Sequence, residues 1–174
     1  MEVSIRKFSH LDGPEFHEAV VESVEHLSYW LPWCTSDYAL KDAEDWCSSA
    51  STVWEAGTDY RFLIENQVSK KILGSVGFNQ IVKNHRIGNL GYWVRKSALN
   101  KGVCSQASRL AIERAFSELN LHRVEIHVHP ENHASNAVAS KLGGVYEGVF
   151  RNKLHFQGKS VPAKCYSIIP SDYA

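Results

Sequence analysis

Residues 97–116 read SALNKGVCSQASRLAIERAF, a turn of mostly small and polar residues that opens into an amphipathic helix. The apolar run LGYWV at residues 90–94 stands shortly before it and is typical of a strand. The first N–H groups of a helix have no partner inside the helix, and the helix dipole adds partial positive charge there. Gly102 lets the backbone approach an anion closely, so the stretch predicts a phosphate cradle built mostly from backbone.

The neighbours of Gly102 add to this interpretation without deciding it. Lys101 offers a positive charge and Ser105 a hydroxyl, but neither the dinucleotide fingerprint nor the P-loop pattern is present. The alternative is that Gly102 simply ends a turn before a core helix. Taken by itself, one glycine leaves both interpretations open.

Composition limits the partners that the chain can have. The 174 residues include 19 basic and 19 acidic side chains, which cancel and leave no charge footprint for nucleic acid or an anionic membrane. The four cysteines are scattered without a C-x-x-C pair, as in reduced cytoplasmic proteins. No apolar run reaches membrane-spanning length, and the first ten residues lack a signal-peptide core. We therefore expect one domain over residues 1–174, in the cytoplasm.

Hydrophobic periodicity predicts an α+β domain with a mixed sheet. A strand at 3–8 precedes two helices, one from about Pro14 to Leu27 and one from about Leu40 to Gly57. Three strands with short polar turns follow, which suggests an antiparallel meander. A helix, a strand, a short helix and two strands complete the order. The strand–helix–strand unit over about residues 86–129 should form a parallel crossover.

With this order in view, the motifs NKGVCSQA, NLHRVEIHV and NHASNAVASKLGG resemble those of the GNAT superfamily of N-acetyltransferases, in particular its RimJ/RimL-type branch. The resemblance covers nearly the whole chain. It implies a GNAT-like fold, with a central, mixed, mostly antiparallel twisted sheet of six to seven strands flanked by about four helices. It also implies acetyl-CoA as the acetyl donor and no metal.

The resemblance also implies where the donor binds. The turn at 100–105 would hold the pyrophosphate, the end of the LGYWV strand would pair with the pantetheine arm, and the start of the helix after His129 would lie beside the thioester. The cofactor-binding residues implied in this way are Tyr92, Trp93, Val94, Asn100, Lys101, Gly102, Val103, Cys104, Ser105, Asn132 and Ser135.

The chain departs from the family pattern at positions that bear on catalysis. Asn89 and Leu154 stand where relatives carry glutamates, so the general base is open. The catalytic candidates are Ser135, which would protonate the leaving thiolate, Asn132 beside it, and His127 as base. Strand alternation puts His127 and His129 on one face, where both could instead be half-exposed surface histidines. Backbone N–H groups near Trp93 are the candidates for holding the oxyanion.

A metal site is the rival interpretation of the same stretch. His127 and His129, with Glu131 or His133, have a spacing similar to that of cupin-type metal ligands. The helices and the absence of regular short strands argue against a jelly roll.

The resemblance implies that the acceptor is an amine. Because no cysteine is placed for a covalent intermediate, we expect the amine to attack directly in a ternary complex. The branch implies that the acceptor is the N-terminal α-amine of a protein, with ribosomal proteins as examples. The alternative acceptors are a polyamine or an aminoglycoside, and the alternative function is that of a CoA sensor without activity. Trp30 and Trp33 either line the acceptor pocket or form a lid on the core. An acidic patch in the first two helices could suit a basic acceptor, and either a monomer or a homodimer is compatible with the sequence.

Overall fold

The computed structural model describes residues 1–173, which contain seven strands and five α-helices. The strands are β1 (Val3–Lys7), β2 (Tyr60–Asn66), β3 (Ile72–Val82), β4 (Ile87–Val94), β5 (Arg123–Val128), β6 (Val145–Phe156) and β7 (Lys159–Ile168). The helices are α1 (Gly13–Val21), α2 (Val24–Leu27), α3 (Leu40–Glu55), α4 (Val103–Ser117) and α5 (His133–Lys141). Among these residues, no helix is long and apolar enough to cross a lipid bilayer.

All seven strands form one sheet in the order β1-β2-β3-β4-β5-β7-β6. Every neighbouring pair is antiparallel except β4 and β5, which run parallel and are joined through α4. The predicted strand count, the meander and the parallel crossover are therefore confirmed.

The first predicted helix is wrong in its length, because α1 ends at Val21 and a separate single turn, α2, follows. Ser23 lies at the break and is fully buried. Its hydroxyl donates to the carbonyl of Ala19 and accepts the N–H of Lys96, so it links this turn to the chain after β4. A side chain that bonds the backbone in this way competes with the helical ladder. The helix count is consequently five rather than about four.

Two hydrophobic clusters cover the two faces of the sheet. Helix α4 packs small residues such as Ala107 and Ala111 on one face, together with Ile126 and Tyr166 from the sheet. Helices α1 and α3 cover the other face only over β2 to β4, where Leu63 and Trp93 are buried. On that same face β5 carries polar side chains, so this part of the sheet is left available for a site.

A buried ion pair fixes the end of β4 against α1. Arg95 is fully buried, and its guanidinium binds Glu22 and Glu18 and donates to the carbonyl of Ile72. The arginine holds the pKa of Glu22 down at about 2. A charge with no water around it is tolerated only when it is paired. This network therefore holds the segment that leads from β4 into α4.

Candidate active site

Strands β4 and β5 pair over three residues and then separate. The register joins Ile87–Asn89 to Arg123–Glu125, and no pair follows within the described residues. The N–H of His127 would next donate to the carbonyl of Leu90 in a continuous parallel ladder. It donates instead to the Asn89 side chain, Oδ1, over 3.2 Å, while Asn89 Nδ2 donates to Asn79 over 2.9 Å. Asn89 thus stands where the gap between the two strands opens.

The register of β3 and β4 decides which backbone groups face the gap. The N–H of Arg95 donates to Leu73 over 2.7 Å, so the pair Gly74 and Val94 is a non-hydrogen-bonded one. Backbone groups alternate along a strand, and those of Tyr92 and Val94 therefore point away from β3 into the gap. The backbone polar groups of Trp93 point to β3 for the same reason, so of the three predicted residues only Tyr92 and Val94 direct theirs into the gap.

Other side chains mark the same end of β4. The indole of Trp93 packs edge-on against Phe16, with ring centroids 5.4 Å apart, and so belongs to the core under α1. His26, which the sequence analysis did not single out, lies with Nε2 3.2 Å from the carbonyl oxygen of Val94. Of the backbone donors predicted near Trp93, the N–H groups of Tyr92 and Val94 are the ones directed into the gap.

The turn before α4 has the conformation expected of a backbone cradle. Asn100 and Gly102 both have left-handed backbone, with φ of 60° and 72°. Within the described residues, none of the six N–H groups from Asn100 to Ser105 donates a hydrogen bond. Unpaired donors at a helix N-terminus suit an anion. The arrangement fits the diphosphate of acetyl-CoA, with Val103 and Cys104 contributing through backbone alone.

The side chains of the predicted cradle have contacts of their own within the fold. Lys101 donates to the carbonyl of Ser97 over 2.7 Å. Burial raises the pKa of the Cys104 thiol to about 12, so it stays protonated. A cavity of about 370 Å³ beside the cradle is lined by Gly102 and Ser105 and also by Arg109 and Lys141, which sequence analysis missed. Helical spacing could have found Arg109, two turns after Gly102, whereas Lys141 comes from α5.

A second cavity, of about 230 Å³, lies at the gap. Strands β4 and β5, the start of α5, the loop after α2 and the tip of the β6–β7 hairpin all contribute to its walls. Its lining includes Leu90, Tyr92, His127, His129, Asn132, Ser135, Trp30 and Phe156. The gap therefore opens into a chamber large enough for a small chemical group, lined with aromatic rings and imidazoles.

His127 is the most constrained titratable group of this chamber. Its side chain is 3% exposed, and Nε2 lies 2.8 Å from Glu125 Oε2. A carboxylate only accepts, so Nε2 carries the proton and Nδ1 is left as an acceptor in the neutral ring. Nδ1 is buried and has no partner among the described residues. Burial, and next the charge of Lys153, lower the pKa of His127 below its ordinary value.

The start of α5 brings the predicted Asn132 and Ser135 to the chamber. Asn132 caps the helix by accepting the N–H of Ser135 over 3.0 Å, so its side-chain oxygen is engaged. The hydroxyl of Ser135 makes no hydrogen bond within residues 1–173. Tyr92 crosses the gap and donates its hydroxyl to the Ser135 carbonyl over 3.1 Å, and burial raises the pKa of Tyr92.

The two tryptophans separate in the structure. Trp30 lines the chamber, packs against His129 and stacks on Phe156 with ring centroids 5.5 Å apart. Trp33 is not part of that lining; it contacts Trp93 and Tyr38 on the α1 side. The structure therefore supports a pocket position for Trp30 and a packing position for Trp33.

The predicted acidic patch is largely used within the fold. Glu22 binds Arg95 and the N–H of Ser97, and Glu25 pairs with Lys96. Asp42 accepts the N–H of Ala39, and Asp45 pairs with Lys41 in an exposed bridge. None of these carboxylates lines the chamber.

The rival metal set is not assembled. Among residues 1–173, the only group of three potential ligands with adjacent atoms consists of Glu125, His127 and Cys165. His129, Glu131 and His133 are not part of it. Arg123 lies 2.9 Å from Glu125 and would compete with a cation for this carboxylate.

Comparisons with known proteins agree with this geometry. Residues 2–145 match the family model described as an acetyltransferase (GNAT) domain. The ribosomal-protein-serine acetyltransferase of Escherichia coli is 30% identical over 81 residues, covering 47% of this chain and 45% of that protein. Spermidine N(1)-acetyltransferase of Vibrio cholerae is 26% identical over 113 residues, covering 65% of each chain.

The fold is shared with solved structures as well. RimJ of Mycobacterium smegmatis, solved with a CoA disulfide, superimposes with a TM-score of 0.88 at 24% identity, covering 98% of this chain and 83% of that one. The family match spans most of the chain, and the superposition shows the same fold. The chain belongs to the GNAT family of acetyl-CoA-dependent N-acetyltransferases.

Proposed function

We propose that this enzyme acetylates the N-terminal α-amine of a protein, with ribosomal proteins as the first candidates. The observation that carries the proposal is the lining of the chamber, where the described residues include three histidines and aromatic rings but no carboxylate. Polyamines and aminoglycosides carry several positive charges and need acidic partners. An α-amine needs none, because its pKa of about 7.7–8.0 leaves a good part of it neutral near pH 8.

The proposed reaction is a direct transfer. The lone pair of the amine attacks the acetyl carbonyl, and the N–H groups of Tyr92 and Val94 hold the oxyanion that forms. The C–S bond then breaks, and the sulfur leaves as a thiolate that accepts a proton from the Ser135 hydroxyl. The proton lost by the amine goes through one water to Nδ1 of His127, which has to become accessible when the substrates bind, and then back to Ser135 by solvent.

Glu125 and Asn132 act through these groups. Glu125 holds Nε2–H of His127, which keeps the acceptor nitrogen free, as the third member of a catalytic triad does. Asn132 fixes the first turn of α5, whose dipole also favours the thiolate. The two residues position the reacting groups and do not touch the amine.

The test is a panel of amines with purified protein and acetyl-CoA. One peptide carries a free α-amine and an internal lysine, its twin has the α-amine blocked, and spermidine and an aminoglycoside complete the panel. We expect acetylation of the α-amine alone, located by mass spectrometry, with CoA release followed by a thiol reagent. Turnover only with spermidine or the aminoglycoside contradicts the proposal. CoA binding without turnover of any amine would favour a sensor.

A further inference from the structure

The β6–β7 hairpin has a charge that the whole chain does not have. From Val145 to Ile168 there are four Lys or Arg residues and one acid, Glu147, in a chain of zero net charge. The compensating acids lie far away in sequence, since Asp12–Glu55 holds ten acidic residues and one Lys. Within Asp12–Glu55 many carboxylates form ion pairs or cap helices, as described for Glu22 and Glu25.

The basic side chains of the hairpin are free of such partners. Arg151, Lys153 and Lys159 are exposed, and none of them forms a salt bridge within the described residues. Strand β6 bulges between Phe150 and Leu154, where three of its residues face the single Pro162 of β7. Proline has no N–H to offer the ladder, so the bulge is the expected result. It leaves Arg151 and Lys153 outside the strand pairing.

The hairpin is also a wall of the chamber. Leu154, His155 and Phe156 line it, and Phe156 contacts both Trp30 and His129. Lys159 pairs in register with Phe156 at the tip. Arg151 precedes Phe156 by five residues in β6, or roughly 16 Å at strand spacing. The ring centroid of its neighbour Phe150 lies 6.1 Å from that of His127, so Arg151 is at the His127 end of this wall and Lys159 is at its tip.

The acids that could neutralise this wall are engaged or few. Glu125 and Glu147 lie on the same face of the sheet and both pair with Arg123. The loop from Ser28 to Ala39, which brings Trp30 to the chamber, carries only Asp37. The turn before α5 adds Glu131.

We infer that the hairpin selects acceptors whose N-terminus is followed by acidic residues. This inference rests on the proposed function. With the α-amine beside His127, the next few residues of the acceptor extend along β6 toward the hairpin tip, where carboxylates meet Arg151 first and Lys159 last. The reach of the wall places these carboxylates within about the first six acceptor residues. Exposed charges of this kind mainly determine selectivity and association rate.

The experiment compares three peptides that share an N-terminal residue and a length, with acidic, neutral or basic side chains at positions two to six. Wild type and the double variant Arg151→Glu/Lys159→Glu are assayed at low and at 0.5 M salt. Lys153 is left unchanged because its charge also acts on His127. Lys70→Glu is the matched control, since Lys70 is exposed and lies in the β2–β3 turn, several strands from β6.

We expect wild type to prefer the acidic over the basic peptide by about tenfold in kcat/KM at low salt, a preference that salt reduces. The double variant should lose or invert it, and the control should keep it. Equal rates for the three peptides overturn the inference but leave the proposed function standing. If none of the peptides is acetylated, the proposed function itself is contradicted, and the inference that rests on it falls with it. A short single-stranded RNA provides a further test. If it inhibits wild type but not the double variant, and wild type shows no preference among the peptides, the basic wall binds nucleic acid and the inference is overturned.

Discussion

The two halves of the active site, on either side of the β4–β5 gap, are built from different parts of the chain. The donor half is one continuous run from Tyr92 to Ser105, and it offers backbone N–H groups. The acceptor half combines Trp30, His127 and Phe156, which come from three distant segments. A binding site made of backbone donors tolerates many side-chain substitutions, whereas a wall made of side chains changes with each substitution. The comparison suggests that binding of acetyl-CoA is robust and that acceptor choice is easily altered.

The largest effect is expected at the donor half, from Gly102→Glu. The φ of 72° disfavours any side chain, and a carboxylate there would repel the diphosphate. Space is not the cause, because a Cβ at this position would meet only Gln106 Nε2 at 3.6 Å. The Kd for acetyl-CoA should rise by roughly several hundredfold, as measured by calorimetry.

Gly102→Asn is the matched control for that change. Asparagine tolerates left-handed backbone and carries no charge, so the Kd should stay within about fivefold of wild type. A comparable loss in both variants would mean that the cradle depends on glycine geometry rather than on the backbone donors and their charge.

The next effect is expected from His127→Gln, which tests the acceptor half. Loss of a general base should reduce kcat by about a hundredfold at pH 7. The active ring is the neutral one and its pKa is lowered, so with the neutral acceptor saturating at every pH, wild-type kcat should stay constant as pH falls through 6.5 and decrease only below it. The variant should lose this decrease.

The exposed His85, in the β3–β4 turn, provides the control as His85→Gln. Its pH profile should match wild type. If the pH profile of His127→Gln also matches wild type, water alone removes the proton from the amine. The acceptor half would then only bind the acceptor.

A smaller effect separates the two tryptophans. Trp30→Ala removes a ring that lines the chamber, and we expect the KM for the peptide acceptor to rise about tenfold with little change in the KM for acetyl-CoA. Trp33→Ala should leave the acceptor KM within about twofold and lower the melting temperature instead, because this ring packs on Trp93. Equal effects of both changes on the acceptor KM would mean that Trp33 also lines the acceptor pocket.

The smallest effect is expected where the two halves meet. Asn89→Ala frees the N–H of His127 to continue the ladder with Leu90, which narrows the gap by one step. The KM for acetyl-CoA should rise about fivefold. Asn79→Ala removes the other partner of Asn89 but keeps its contact with His127, so a change within about twofold is expected in the same steady-state assay.

Much of the site was predictable, because its donor half is local. The strand end, the turn at Gly102 and the helix start are neighbours in sequence, and their backbone geometry depends on residues a few positions apart. The side of β5 that carries His127 follows from strand alternation in the same way. The direction of the Trp93 N–H was not predictable, since it depends on the register with β3, which local patterns do not contain.

The sequence by itself therefore determined the order of the elements, the turn before α4 and the face of β5 that carries the histidines, because each depends on residues close together in the chain. Only the tertiary structure decided that Asn89 opens the gap, that Trp30 rather than Trp33 lines the chamber, and that Arg109 and Lys141 share one cavity. It also decided that acidic residues such as Glu22 serve the fold, pairing with Arg95 across 73 positions. The physical reason is that side-chain partners are selected by proximity in space, after distant segments have packed together.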